Sequence, residues 1–243
     1  MDESVHQFDD REALSRAAAR ALVADVDAVL DTQDRYTLAL AGGSTPERLY
    51  ELLASGAEGT LPWARIHLFW GDERYVPLRD ERSNAHMARR TLIERISIPD
   101  DNVHPIPTHE ASAKESAAAY ADTLQGFFSA RSDTFDTVLL GLGGDGHTAS
   151  LFPETPDLEN SDDWMRVVEA PPRHDVSTRL TCSMSVLNGA RRALFLVAGE
   201  RKREALRRVL DDRDPALPGT HVQPRERVDW FVDHAARPCT DGT

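Results

Sequence analysis

Residues 137–147 read TVLLGLGGDGH, a short apolar run that breaks into glycines and then delivers a histidine. An uncharged run of this length, closed by turn formers, predicts a strand buried on both faces. The same layout occurs upstream. Residues 36–41 (YTLALA) run into GGSTP, and residues 66–70 (IHLFW) run into the charged loop GDERYVPLRDERS. Downstream, residues 194–198 (LFLVA) end at Gly199, and residues 228–232 (VDWFV) form a last strand. Helical patterns fill the gaps. Residues 10–31 are alanine-rich with apolar positions at helical spacing, Pro46 suits the first turn of a second helix, and Ser83 can cap a third through Ile93. Residues 111–129 and 201–210 complete the set. Apolar strands alternating with helices predict an α/β fold, a single-domain Rossmann-like parallel sheet with helices on both faces. One domain spans residues 1–243, and the proline-bearing stretch 153–175 reads as a surface excursion within it.

Composition narrows the function. With 243 residues, 40% hydrophobic and 28% charged, the chain resembles an ordinary globular protein long enough for a proper core. No apolar run could cross a membrane, and the acidic start MDESVHQFDD is unlike a secretory signal. Two cysteines, Cys182 and Cys239, exclude a disulfide scaffold or a cysteine-rich zinc module and predict a reducing cytoplasm. Forty-one acids against 28 bases give a net charge of −13, which argues against nucleic acid or an anionic membrane as partner. No obligate protein partner is inferred. Lysine occurs only at Lys114 and Lys202, which reads as codon bias towards arginine. An anionic ligand would therefore need a local cluster of bases, which can outweigh distant acids because charges are screened over about 8 Å.

In parallel α/β sheets a ligand sits outside the carboxyl ends of the strands, where the strand order switches. Three loops here follow predicted strands. In Gly42-Gly43-Ser44-Thr45 the glycines let the backbone approach an anion, and the helix start aims N–H groups at it; an ordinary capped turn is the alternative. Asp72, Glu73 and Arg74 form either a solvated loop or an anion clamp with a carboxylate beside it. Gly141 to Gly146 formally matches the dinucleotide fingerprint, but Pro153 and Pro156 break the segment that should continue as a helix, so no cofactor is expected. His147 closes that loop. Histidine can take and return a proton near neutral pH, and Asp145 could orient it or merely satisfy the turn. There is no G-x-S-x-G elbow and no HExxH. A metal site could be drawn from His147, Asp145 and Asp72, but their spacing does not require one, and none is expected.

Together, LALAGGSTPERLYELL, HLFWGDERYVP with RSNAHM, and TVLLGLGGDGHTASLFP resemble the lactonase branch of the glucosamine-6-phosphate isomerase/6-phosphogluconolactonase superfamily. The resemblance runs from about residue 38 to 236 through RLT at Arg179, LNGAR at Leu187, GERK at Gly199 and DWFVD at Asp229. It implies cofactor-free hydrolysis of 6-phospho-D-glucono-1,5-lactone, a small sugar-phosphate lactone of the oxidative pentose phosphate pathway. By position, His147 would activate water and later protonate the leaving ring oxygen, with Asp145 supporting its loop. Asp72 and Arg74 would flank the sugar. The loop Gly42, Gly43, Ser44 and Thr45, with Arg179 and Lys202, would hold the phosphate. Departures are Gly144 for a common proline, Glu154 for glycine, His86 for tyrosine, and a loose version of the proline-alanine-serine segment at residues 214–218. The isomerase/deaminase branch instead ends the histidine segment in Ala-Phe-Asn-Glu-Pro, and its glutamate joins the acid–base work. Here Phe152 precedes Pro153. A sugar-phosphate sensor on this fold would bring a helix-turn-helix and a basic patch, and neither is visible.

Overall fold

The apolar runs become strands because each can bury both faces. The computed structural model describes residues 2–130, 132–153 and 163–237; Glu154, Pro156 and Cys239, named above, lie outside the described residues. In chain order the strands are β1 (Asp2–Phe8), β2 (Tyr36–Leu40), β3 (Ile66–Trp70), β4 (Asp72–Arg74) and β5 (Thr137–Leu140). They continue with β6 (Met165–Glu169), β7 (Thr178–Cys182), β8 (Arg192–Val197) and β9 (Arg227–Asp233). The helices are α1 (Arg11–Leu30), α2 (Ser44–Ser55), α3 (Asn84–Thr91), α4 (Ala113–Phe127), α5 (Met184–Asn188) and α6 (Arg203–Leu210).

Six strands form one sheet in the order β1-β9-β8-β5-β2-β3, with every pairing parallel. β2, β5 and β8 are buried at every position, as a parallel sheet flanked by helices requires. Helix starts follow their caps. Asp10 Oδ1 accepts from Ala13 N–H at 2.8 Å, and Ser83 Oγ accepts from His86 N–H at 3.1 Å. Trp230 stacks on Phe195 with ring centroids 3.7 Å apart, filling the layer beside β8.

Three features depart from the sequence reading. β1 is an edge strand in a stretch whose polar composition gave no strand signal; it is paired by backbone bonds to β9 and largely exposed. The loop expected at residues 71–83 begins with β4, because Asp72, Glu73 and Arg74 pair antiparallel with Thr181, Leu180 and Arg179. β4, β7 and β6 make a second, three-stranded sheet, so the excursion at residues 153–175 contains part of a strand layer. Met165, Leu180 and Cys182 of that layer share one buried apolar cluster with the main sheet.

The strand order places the site. From β2 the sheet extends to β3 on one side and to β5 on the other. Chains leaving the carboxyl ends of β2 and β5 therefore part and open a crevice. At the opposite, amino-terminal end, buried charges pair off. Asp25 Oδ2 accepts from Tyr36 Oη and from Arg191 Nη2, each at 2.5 Å, and Arg192 Nε donates to Asp229 Oδ2 at 2.7 Å.

Candidate active site

The loops after β2, β3 and β5 meet around a cleft of about 230 Å³. The third loop is folded on itself: Gly143 N–H donates to His147 O at 2.8 Å, and Gly146 N–H to Gly143 O at 3.1 Å. A Cβ at Gly143 would lie 2.1 Å from His147 Nδ1 and 2.4 Å from Asp145 Oδ1, so a side chain there would displace both groups. With glycine present, His147 Nδ1 and Asp145 Oδ1 come within 2.5 Å. Burial opposes the charge on Asp145, but the hydrogen bonds from His147 and Arg173 hold its carboxyl well below the usual carboxylate range. An ionised carboxylate only accepts. Nδ1–H of His147 is then the donor, and in the neutral ring Nε2 carries the lone pair.

The second loop supplies a carboxylate at the cleft and another beneath it. Asp72 is buried, and its Oδ2 accepts from Ser150 Oγ at 2.6 Å. Glu73 points to α3 instead. Its carboxylate accepts from the backbone N–H groups of Asn84 and Ala85, both at 2.7 Å, and from Ser83 Oγ at 2.9 Å. Burial pushes the Glu73 carboxyl up, and these donors at the helix start work against that. Asn84, fixed in this way, donates from Nδ2 to Asp72 O at 2.9 Å and covers Gly42, where a Cβ would lie 1.9 Å from its Oδ1.

The cleft also collects cations. Arg74 and Arg179 are direct partners across β4 and β7. Arg179 is buried, and its closest carboxylate among the described residues, Asp175, is 3.8 Å away and exposed. Burial first, and then the charge of Arg74, pulls its pKa down. Lys202 stands half-buried in the turn after β8, and burial lowers its pKa while Asp145 partly compensates. Its side chain has no hydrogen bond or ion pair among the described residues. Three cations with few protein counter-charges are costly to bury and gain from an anion.

Most of the expected residues therefore converge. Gly42, Gly43, Asp72, Arg74, His147, Arg179 and Lys202 all line the cleft, and Asp145 acts on it through His147. Ser44 and Thr45 depart from the expectation. Gly43, at φ +106°, starts α2 so that Ser44 faces an adjoining cleft with Arg74, His86 and Arg90, while Thr45 is buried in the first helical turn and lines neither. The backbone of Gly42 and Gly43 reaches the cleft; the Thr45 hydroxyl does not.

Motif reading missed Arg173 and His174, which arrive from the segment before β7. Arg173 donates to Asp145 Oδ2 from Nε at 3.1 Å and also from Nη2. His174 lines the cleft, with its ring edge-on to His147 at a centroid distance of 5.2 Å. Phe152 is buried against both rings, 4.8 Å from His147 and 4.9 Å from His174. Asp145, His147 and His174 bring ligand-type atoms within 4.8 Å of one another. However, Asp145 already gives one oxygen to His147 and the other to the Arg173 guanidinium, whose charge opposes a metal cation there.

The parallel α/β sheet thus gathers an imidazole–carboxylate pair and three cations at its switch point, groups that can together bind a small anion and exchange a proton. Residues 9–230 match the family described as glucosamine-6-phosphate isomerases/6-phosphogluconolactonase, and the chain belongs to that family. It is 39% identical over 241 residues to a 6-phosphogluconolactonase of Nostoc, spanning 97% of this chain and 98% of that one. Over 205 residues it is 43% identical to a 6-phosphogluconolactonase of Synechocystis, with 82% of each chain covered. The crystal structure of 6-phosphogluconolactonase from Thermotoga maritima superposes with a TM-score of 0.84 at 31% identity, covering 96% of this chain and 100% of that one.

Proposed function

We propose that the protein hydrolyses 6-phospho-D-glucono-1,5-lactone to 6-phosphogluconate, using water activated by His147. The observation that carries this reading is the 2.5 Å contact between His147 and an ionised Asp145 beside a cluster of cations. Nε2 takes a proton from water as the water oxygen bonds to the lactone carbonyl carbon, and the carbonyl π pair moves to its oxygen. When that carbonyl re-forms, the bond from carbon to the ring oxygen breaks. The imidazolium returns its proton to the ring oxygen, and the new carboxylic acid ionises in solution. Asp145 stabilises the imidazolium between the two transfers, and base catalysis of this kind contributes about 10²–10⁴-fold. Arg179, Lys202 and the backbone at Gly42 and Gly43 hold the phosphate, while Asp72 and Arg74 flank the sugar. The chemistry needs no cofactor. The proposal keeps the cytoplasmic setting and the absence of nucleic-acid binding expected from the sequence.

The family name covers two activities, and Phe152 favours the lactonase. The buried phenyl ring beside His147 occupies the position before Pro153, where the isomerase/deaminase pattern places a glutamate, and it carries no proton. The names of the Nostoc and Synechocystis relatives support the same choice. The test is lactone opening measured against the spontaneous rate, with glucosamine 6-phosphate as a parallel substrate. Accelerated lactone opening without ammonia release is expected. Ammonia release with no lactone hydrolysis would reverse the assignment.

A further inference from the structure

His147 is held by a chain of contacts that reaches beyond its own loop. Phe152 and His174 pack their rings against the imidazole at 4.8 and 5.2 Å and limit its rotation. Asp145 Oδ1, 2.5 Å from Nδ1, selects which nitrogen carries the proton. The orientation of Asp145 has its own cause. A carboxylate joined to the chain by single bonds can turn, and although Oδ1 also accepts from the His147 backbone N–H at 3.3 Å, contacts through Oδ1 alone would leave Oδ2 free to swing. Arg173 removes that freedom, since its Nε and Nη2 both donate to Oδ2. Two donors from one planar guanidinium fix a carboxylate in direction as well as in charge.

We propose that Arg173 is a positioning residue, which clamps Oδ2 of Asp145 so that Oδ1 is aimed at His147 and the imidazole is kept as its Nδ1–H tautomer. The proposal rests on the reading of His147 as the base, because only the Nδ1–H form presents a free Nε2 lone pair to water. Arg173 reaches the site from a segment 26 residues beyond His147, on the approach to β7. The antiparallel sheet that delivers Arg179 to the cleft therefore delivers the clamp as well. His174, next in the chain, has Nε2 3.6 Å from the same Oδ2, so one short segment supplies both the guanidinium on Asp145 and a ring on His147.

The test compares wild type with Arg173→Gln and Arg173→Lys. Nitrogen-15 NMR of the His147 ring reports the tautomer without any turnover, and steady-state kinetics report kcat and KM separately. In Arg173→Gln we expect a clear rise in the Nε2–H population and a kcat lower by about tenfold, a loss typical of slight misplacement of a reacting group. KM should stay within about twofold, and Arg173→Lys, which keeps the charge on Oδ2, should recover part of both effects. An unchanged tautomer in Arg173→Gln, whatever its turnover, would overturn the clamp. A rise in KM with both kcat and the tautomer unaltered would overturn it and make Arg173 a substrate contact. A shifted tautomer with undiminished turnover would instead leave the clamp standing and sink the reading of His147 as the base.

Discussion

The two ends of the parallel sheet handle buried charge in opposite ways. At the amino-terminal end Asp25, Asp229 and Asp136 each meet a hydrogen-bond donor, and Asp25 and Asp229 meet a base. Asp25 receives Arg191 and Tyr36, Asp229 receives Arg192, and Thr37 donates to Asp136 from both its backbone N–H and its hydroxyl at 2.8 Å. Burial works against the Asp25 charge, yet Arg191 and Tyr36 bring its carboxyl below the usual range. At the carboxyl-terminal end, burial lowers the pKa of both Arg179 and Lys202, and the nearby carboxylates among the described residues only partly compensate. Paired charges of the first kind lock a fold, since removing one partner strands the other. Underpaired charges of the second kind weaken a fold and gain on meeting a ligand. On the proposed function, the contrast separates structural ions from binding ions using the same residue types.

That contrast can be broken at several points. The largest effect belongs to the cleft: His147→Ala should lower kcat by about 10²–10⁴-fold with an unchanged circular dichroism spectrum. Near-normal turnover in the folded variant would return this histidine to a structural role. At the other end, Arg192→Ala should cost about 3 kcal/mol of unfolding free energy, the lower end for a broken buried pair, because Asp229 loses its buried partner and keeps only the more exposed Arg227 and His6. Urea titration measures this, and KM should not move in the protein that remains folded. Lys202→Ala and Arg179→Ala should weaken phosphorylated substrate by about 2–5 kcal/mol and leave unphosphorylated gluconolactone nearly unaffected. Equal losses on the two substrates would assign these residues to the fold or the chemistry. In the ligand-free protein, Lys202→Ala should change stability by no more than about 0.5 kcal/mol, a sharp contrast with Arg192. The smallest expected effect is none at all. Exhaustive chelation should leave lactone hydrolysis intact, and a loss that zinc or magnesium restores would put a metal among Asp145, His147 and His174.

What could be read in the chain follows from where each signal resides. β2, β3, β5, β8 and β9 were legible because a strand buried on both faces must be apolar along its length. Helix α3 was legible because Ser83 acts on a neighbour three residues away, and α1 because its alanines and apolar spacing mark it. The small antiparallel sheet was hidden because β4 spends its side chains on the site: Asp72 and Arg74 face the cleft and Glu73 caps α3, so no apolar alternation survives. The glycine loops and His147 could be found from the strands they follow. Arg173, Ser150 and Asn84 could not, since their work lies in contacts with Asp145 and Asp72 that only the fold creates. Thr45 shows the reverse. Its residue type suits an anion site, but its place in the first turn of α2 keeps it inside.

The pairing of β1 with β9 has a consequence for how the chain is made. Asp2 to Phe8 lie in register with Arg227 to Asp233. At synthesis rates of about 5–20 residues per second, β1 emerges from the ribosome roughly ten to forty-five seconds before its partner. During that interval an apolar strand would be a sticky edge, available to any neighbouring nascent chain. DESVHQF is a poor template for such contacts. The polarity that conceals this strand from sequence reading is what lets it wait, solvated, until the last strand of the sheet arrives.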